Sequence, residues 1–365
     1  MDVIIHWMNV MDETGWIPRE QILGAEARSR VPAPYQAQHR DHANPPALLL
    51  TVDKLLREFR EKLQRKLDNE IVFKDDVKMD SAKEIIEADK ELSSYKNFFE
   101  KVYPRLKHWI TWMTASQAGE KENTFRWRGR AENHTLSSGL DDYPRRRFPS
   151  DNEAHVDLIS WITFSHKVLA EMANFIGKNS DSLQQTYERL SNSLELHWNG
   201  KQNIYADIQD VSKTPLIYSP HIGYVSLFPL LLGLIPKDSP RLLNYLEVLN
   251  DPKVLWTNYG IRSLSRTDSY YKLGDHYWTG PIWIPINYLL LSSLHRNYIS
   301  DGPYQVELSK FYNQLRTALI SNMNTQYHTT GYIWEQYSDE TGKGLRGHPF
   351  TGWSSLIVNI MGEKY

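Results

Sequence analysis

The chain has 365 residues, with 42 basic and 44 acidic side chains and a formal net charge of −2. So balanced a charge gives no general attraction to nucleic acid or to an anionic membrane surface. The sequence has no cysteine, which excludes disulfides, thiolate metal sites and thiol nucleophiles.

Residues 3–11 read as a helix already under way, and the start of the chain lacks a basic segment followed by a long apolar core. No run of about 18 apolar residues follows anywhere, so neither a signal peptide nor a membrane-spanning segment is expected within the chain. Residues 47–67 repeat apolar side chains at spacings of three and four (Leu48, Val52, Leu55, Leu56, Phe59, Leu63, Leu67), with charge on the other face. Comparable patterns occupy 81–113, with breaks, and then 153–176, 182–198, 282–298, 303–323 and 352–361. Several have start signals: Asn44-Pro45-Pro46, Ser180-Asp181 and Asp301-Gly302-Pro303. Alternation suited to a strand is scarce, with 331–334 the clearest case. The count is roughly ten or eleven helices. Between them run long segments rich in Gly, Trp, Tyr and Arg at 15–46, 123–151, 256–281 and 329–349. Their aromatic content argues against disorder, and loops of such length are usually functional. With no Gly/Ser or Pro-rich linker, residues 1–365 read as a single domain.

The 13 histidines form no helical metal-binding pair, and no phosphate-binding glycine loop or serine nucleophile elbow occurs, so no cofactor or metal is expected. What is left is carboxylates among aromatics. Aromatic residues make up 12% of the chain; they serve equally as core filler and as flat faces for the C–H surfaces of sugars. One candidate is the turn Gly139-Leu140-Asp141-Asp142-Tyr143-Pro144-Arg145, whose acids could as well be capping their own backbone. A second is Glu335 in Tyr332-Ile333-Trp334-Glu335-Gln336-Tyr337, which could be an ordinary surface residue. Together they satisfy the demand of glycoside hydrolysis for one acid and one carboxylate. An acid of that kind needs its pKa raised by roughly 2 to 3 units, so Arg145 is expected to point away from Asp141 or to hold Asp142.

At these residues the sequence resembles the eukaryotic processing α-glucosidases of glycoside hydrolase family 63. The matching motifs run in order along the chain: 15–24 (Gly-Trp-Ile-Pro-Arg-Glu-Gln-Ile-Leu-Gly), 44–46, 138–145, 155–161, 277–283 (Tyr-Trp-Thr-Gly-Pro-Ile-Trp) and 349–353 (Pro-Phe-Thr-Gly-Trp). The resemblance implies an all-α (α/α)6 toroid; the helix count falls short of twelve, leaving room for opening helices outside this sequence. It implies Asp141 as general acid and Glu335 as general base of an inverting enzyme. Arg19, Glu20, Tyr277, Trp278 and Trp353 would line the glucose pocket, with Asp157 and Arg128 as further candidates and Trp161 as core. The implied substrate is the terminal α-1,2-linked glucose of the triglucosylated N-glycan precursor on nascent glycoproteins, in the lumen of the endoplasmic reticulum. Family members carry an upstream β-rich domain and a membrane anchor that this sequence does not contain. A related inverting glucosidase or trehalase-like enzyme, or an inactive truncated glycan-binding relative, are the competing expectations. Asn133-His134-Thr135 is an N-glycosylation acceptor pattern.

Overall fold

A computed structural model describes residues 1–71, 85–86 and 89–365. The chain divides into two compact units: 1–117 with 162–190, and 118–161 with 191–365.

The first unit is built from α1 (Asp2–Asn9), α2 (Gly24–Arg30), α3 (Ala33–Gln36), α4 (Leu48–Ile71), α5 (Lys90–Ser116), most of α6 (Val156–Phe175) and α7 (Asp181–Leu194) up to residue 190. Its core follows from the periodic stripe on α4: Leu49, Val52, Leu56 and Phe59 are buried, as are Phe99, Val102 and Leu106 of α5. Phe59 meets Phe175 edge-on at 4.2 Å and Phe99 meets it at 5.3 Å, the offset geometry aromatic quadrupoles prefer. Asp89 caps α5, accepting from the amides of Glu91 and Leu92. The expected helical pattern at 81–113 is met from Lys90 onward and at 85–86; residues 81–84, 87 and 88 lie outside the described residues.

The second unit takes the first six residues of α6 and adds α8 (Tyr224–Leu231), α9 (Arg241–Asn250), α10 (Ile284–Asn297), α11 (Gln305–Thr330) and α12 (Ile357–Met361). Helices α8, α10, α11 and α12 pack in that succession. Every residue of α8 is buried, so it shows no polar face. Neither α8 nor α9 is among the helices named from periodicity. Four short antiparallel hairpins stand in the connecting segments: β1–β2 (Trp198–Asn199, Ile204–Tyr205), β3–β4 (Ile208–Asp210, Ile217–Tyr218), β5–β6 (Trp256–Thr257, Gly260–Ile261) and β7–β8 (Gln336–Tyr337, Gly344–Leu345). The strand expected at 331–334 is displaced to Gln336–Tyr337. Residues 333–335 do pair with 347–350, through Glu335 N to Gly347 O and Phe350 N to Ile333 O, but Pro349 has no N–H to continue a ladder.

Candidate active site

Seven of the expected site residues lie in the second unit, and four of them, Glu335, Tyr277, Trp278 and Trp353, are joined by hydrogen bonds or ring contacts. The acid turn begins after a 3-10 turn, Leu136–Ser138, that ends on Gly139 at φ 73°. This left-handed backbone is cheap only for glycine and turns the chain so that Leu140 is buried and Asp141 emerges half-buried. The Asp141 carbonyl accepts from the Thr135 amide at 2.7 Å, which fixes the residue's backbone. Behind the turn, Tyr143 packs against Gly223, where an added Cβ would fall 2.3 Å from the Ser263 carbonyl and 2.7 Å from the Tyr143 hydroxyl.

Asp142 has a different task. Its Oδ2 accepts from the Tyr277 amide at 2.9 Å and its Oδ1 from the Trp278 amide at 2.7 Å. One carboxylate thus clamps the acid turn to the 277–283 segment. Trp278 is buried and stacks on Trp283, with centroids 3.7 Å apart and planes at 9°. Trp283 in turn meets Tyr277 edge-on at 4.6 Å and Trp353 at 5.6 Å, while its Nε1 donates to the Tyr277 carbonyl at 2.9 Å. The rings form a layered platform on which Trp353, 37% exposed, is the open face.

The Tyr277 hydroxyl donates to Oε1 of Glu335. Oε2 accepts from the Gly347 amide at 3.0 Å, and the Glu335 carbonyl accepts from Trp353 Nε1 at 2.9 Å and Ser354 Oγ at 3.2 Å. Both the carboxylate and the backbone of Glu335 are therefore held. Burial, the hydrogen bond to Glu335, and the charges of Glu335 and Asp141 push the Tyr277 phenol well above the usual range, so it stays a neutral donor near neutral pH. Arg346 adds a cation 5.4 Å from the Tyr277 ring centroid.

The remaining candidates stand elsewhere. Asp157 is 0% exposed, with its carboxylate turned to an arginine and an indole. Its Oδ2 accepts from Arg145 Nη2 at 2.6 Å and from Trp127 Nε1 at 3.1 Å. Arg145 also donates to Asp207 at 2.7 Å, so its partners are Asp157 and Asp207 and it does not hold Asp142. Burial works against the charge on Arg145, and the two carboxylates more than offset it, leaving its pKa raised. Asp207 is correspondingly lowered, burial being outweighed chiefly by Arg145. Asp207 also accepts from the Val156 amide at 2.8 Å, at the start of α6. Arg128 is half-buried; its Nη2 donates to the Ala118 carbonyl at 2.6 Å and its own carbonyl accepts from Ser137 Oγ at 2.8 Å. Arg19 and Glu20 belong to the first unit, exposed, with their amides on Gln38 Oε1 at 2.9 and 3.4 Å. Trp161 is core, 5.6 Å from Phe228.

Four residues have parts that the sequence analysis did not assign. Asp142 was passed over as the acid's neighbour, although paired acids in one turn invite separate tasks. Arg346 and Gly347 sit in the long 329–349 segment, where a glycine beside an X-Pro pair is the only local hint. Asp207 has no sequence signal, being 62 residues from Arg145. Among the described residues no cluster of three or more His, Asp or Glu suited to a metal occurs, and no helix is long and apolar enough to cross a membrane.

Comparison with known proteins shows the family and the fold. A probable mannosyl-oligosaccharide glucosidase of Schizosaccharomyces pombe is 40% identical over all of this chain, which spans 47% of that relative. A mannosyl-oligosaccharide glucosidase of Arabidopsis thaliana is 34% identical, again over all of this chain and 46% of the relative. The chain thus spans about half the length of the curated relatives it matches. Among solved structures, the family 63 mannosylglycerate hydrolase of Thermus thermophilus, in complex with Tris and D-glycerate, superposes with a TM-score of 0.69 at 13% identity. That match covers 98% of this chain and 87% of the other. The fold class is the all-α (α/α)6 toroid. The family model described as the glycosyl hydrolase family 63 C-terminal domain matches residues 1–363, and the chain belongs to that family of glycoside hydrolases.

Proposed function

We propose that the chain, as one catalytic domain, carries the site of an inverting α-glucosidase that removes the terminal α-1,2-linked glucose from the triglucosylated N-glycan precursor in the lumen of the endoplasmic reticulum. The relatives named mannosyl-oligosaccharide glucosidase support the substrate class. The observation that carries the reading is the Tyr277 phenol, which donates to Glu335 from a segment that Asp142 ties to the Asp141 turn. A carboxylate held by a neutral donor, linked in this way to a second acid's turn and beside a tryptophan face, suits acid and base catalysis on a sugar.

Asp141 is the general acid: its proton passes to the glycosidic oxygen as the bond from that oxygen to C1 breaks. Glu335 is the general base, accepting a proton from the water whose oxygen bonds C1 on the opposite face. The product hydroxyl then has the inverted, β configuration. Tyr277 and Gly347 hold Glu335 in position throughout, and Trp353 offers its face to the glucose ring. Arg128 contributes a hydroxyl contact, whereas Asp157 acts through Arg145 by fixing the acid turn from behind.

The test is release of glucose from an α-1,2-linked glucosyl disaccharide and not from trehalose, measured for the full-length protein and for Asp141→Asn and Glu335→Gln. Each variant should lose about 10²- to 10⁴-fold in turnover while remaining folded. A variant that turns over as fast as the parent removes that residue from its role, and release from trehalose alone would move the enzyme to a different specificity.

A further inference from the structure

Beside the acid turn the second unit holds a cavity of about 300 Å³. Its walls come from 130–135, 142–147 and 270–279, the segments on either side of Asp141 and leading into Tyr277. Asp275 lies in the wall of the cavity. Its carboxylate meets His134 at 3.1 Å at the edge of the cavity, and its carbonyl accepts from Arg346, whose guanidinium lies over the Tyr277 ring. One side of this loop therefore faces the cavity, and the other leads to the phenol that holds Glu335.

The lining chemistry selects the kind of ligand. The charged groups arrive paired: Arg130 with Glu153 at 2.8 Å, Arg147 with Glu132 at 3.2 Å, and His134 with Asp275 at 3.1 Å. An anionic or cationic ligand would have to break one of these pairs. A neutral polyol need not, because each hydroxyl donates to a carboxylate and accepts from a guanidinium together. The exposed ring of Tyr270 adds a flat apolar face of the kind that stacks on sugar C–H surfaces. The volume stands at the small end of ligand pockets, suited to one ring and not to a branch.

We propose that this cavity is a binding subsite for one neutral hexose of the oligosaccharide, other than the two sugars joined by the bond that is cleaved. The proposal rests on the reading of the enzyme as an oligosaccharide glucosidase. It makes the cavity a determinant of substrate length, since a disaccharide fills the catalytic site and leaves this space empty.

Tyr270→Ala and Arg147→Ala test it, both at exposed positions, in the full-length protein. Kinetics would be compared on an α-1,2-glucosyl disaccharide and on a glucosylated mannose oligosaccharide. Each variant should raise KM for the oligosaccharide roughly three- to tenfold with kcat unchanged, and leave the disaccharide constants at parental values. Unchanged oligosaccharide KM in both variants, or equal losses on both substrates, would overturn it. Binding of an unglucosylated linear mannotriose, followed by saturation-transfer NMR, needs no turnover. It should be present in the parent and weakened in both variants, and its absence from the parent also overturns the subsite. Failure of the parent to cleave either substrate, with mannotriose binding intact, would instead count against the proposed function.

Discussion

The two compact units differ in how much charge they take inside. In the first, ion pairs stand on the outer faces of helices: Arg60 with Glu171 at 3.0 Å, Arg57 with Asp53 at 3.3 Å and Arg65 with Glu61 at 3.4 Å. Its stability comes from the apolar stripes of α4 and α5, and pairs so exposed contribute about 0 to 1 kcal/mol each. The second has exposed pairs too, such as Arg147 with Glu132, but it also takes charge inside. Arg145, Asp157 and Asp207 have side chains 1%, 1% and 6% exposed, and the Arg130–Glu153 pair is buried too, with His155 on the far oxygen of Glu153. Such pairs add little net stability over a well-packed apolar core, but losing one partner is costly. What they provide is orientation: Asp207 bonds the first turn of α6 and Arg145 fixes the end of the acid turn, so a rigid buried frame stands directly behind the candidate acid.

That contrast can be broken most directly by removing a cation from each unit. Arg145→Met strands two buried carboxylates and should cost about 3 to 5 kcal/mol in chemical denaturation. Arg60→Met, in the exposed pair, should cost at most about 1 kcal/mol. Similar losses in the two variants would erase the distinction. The buried frame should also respond to acid. His197, fully buried with Nδ1 donating to the Ala206 carbonyl at 3.0 Å, has its pKa lowered to about 4 by burial. The unfolded chain binds the proton first, so this contribution is complete above pH 6.5 and is lost as pH falls toward 4. It amounts to about 3 kcal/mol over that window. His197→Gln should flatten the pH dependence of stability there, and an unchanged slope would assign the acid sensitivity to other groups.

Smaller effects probe the link between the two carboxylate segments. Asp142→Asn sets an NH2 group against one of two backbone donors and frees the 277–283 segment. We expect kcat to fall about 10- to 100-fold through misplacement of Tyr277, with KM much less affected. Tyr277→Phe removes the donor to Glu335 itself and should cost about tenfold in kcat. If Asp142→Asn leaves kcat intact, the clamp is merely structural.

Legibility from sequence follows the same division. Helix α4 announces itself because one face is apolar at regular spacing over 24 residues. Helix α8 does not, since a segment buried on all sides has no periodic contrast. The acid turn stands out through Gly139 and Pro144, whose conformational demands are local. Glu335 carries no such signal; its surroundings are assembled from Tyr277, Gly347 and Trp353, and only the ordered family motifs single it out. Asp157 is ambiguous in the sequence because its type and position are equally consistent with binding a hydroxyl or an arginine. Its partner Arg145 is twelve residues away and the third member, Asp207, is farther still, so the network exists only once the chain has folded.

The central claim is that Asp141 and Glu335 act on opposite faces of one glucose. Proton NMR of the sugar at the earliest times after mixing enzyme with an α-1,2-linked glucosyl substrate reads this directly. The account predicts that β-glucose appears first and the α-anomer grows only by mutarotation. First appearance of α-glucose would contradict it, because retention requires a carboxylate to attack C1 and leaves no place for the Glu335 water.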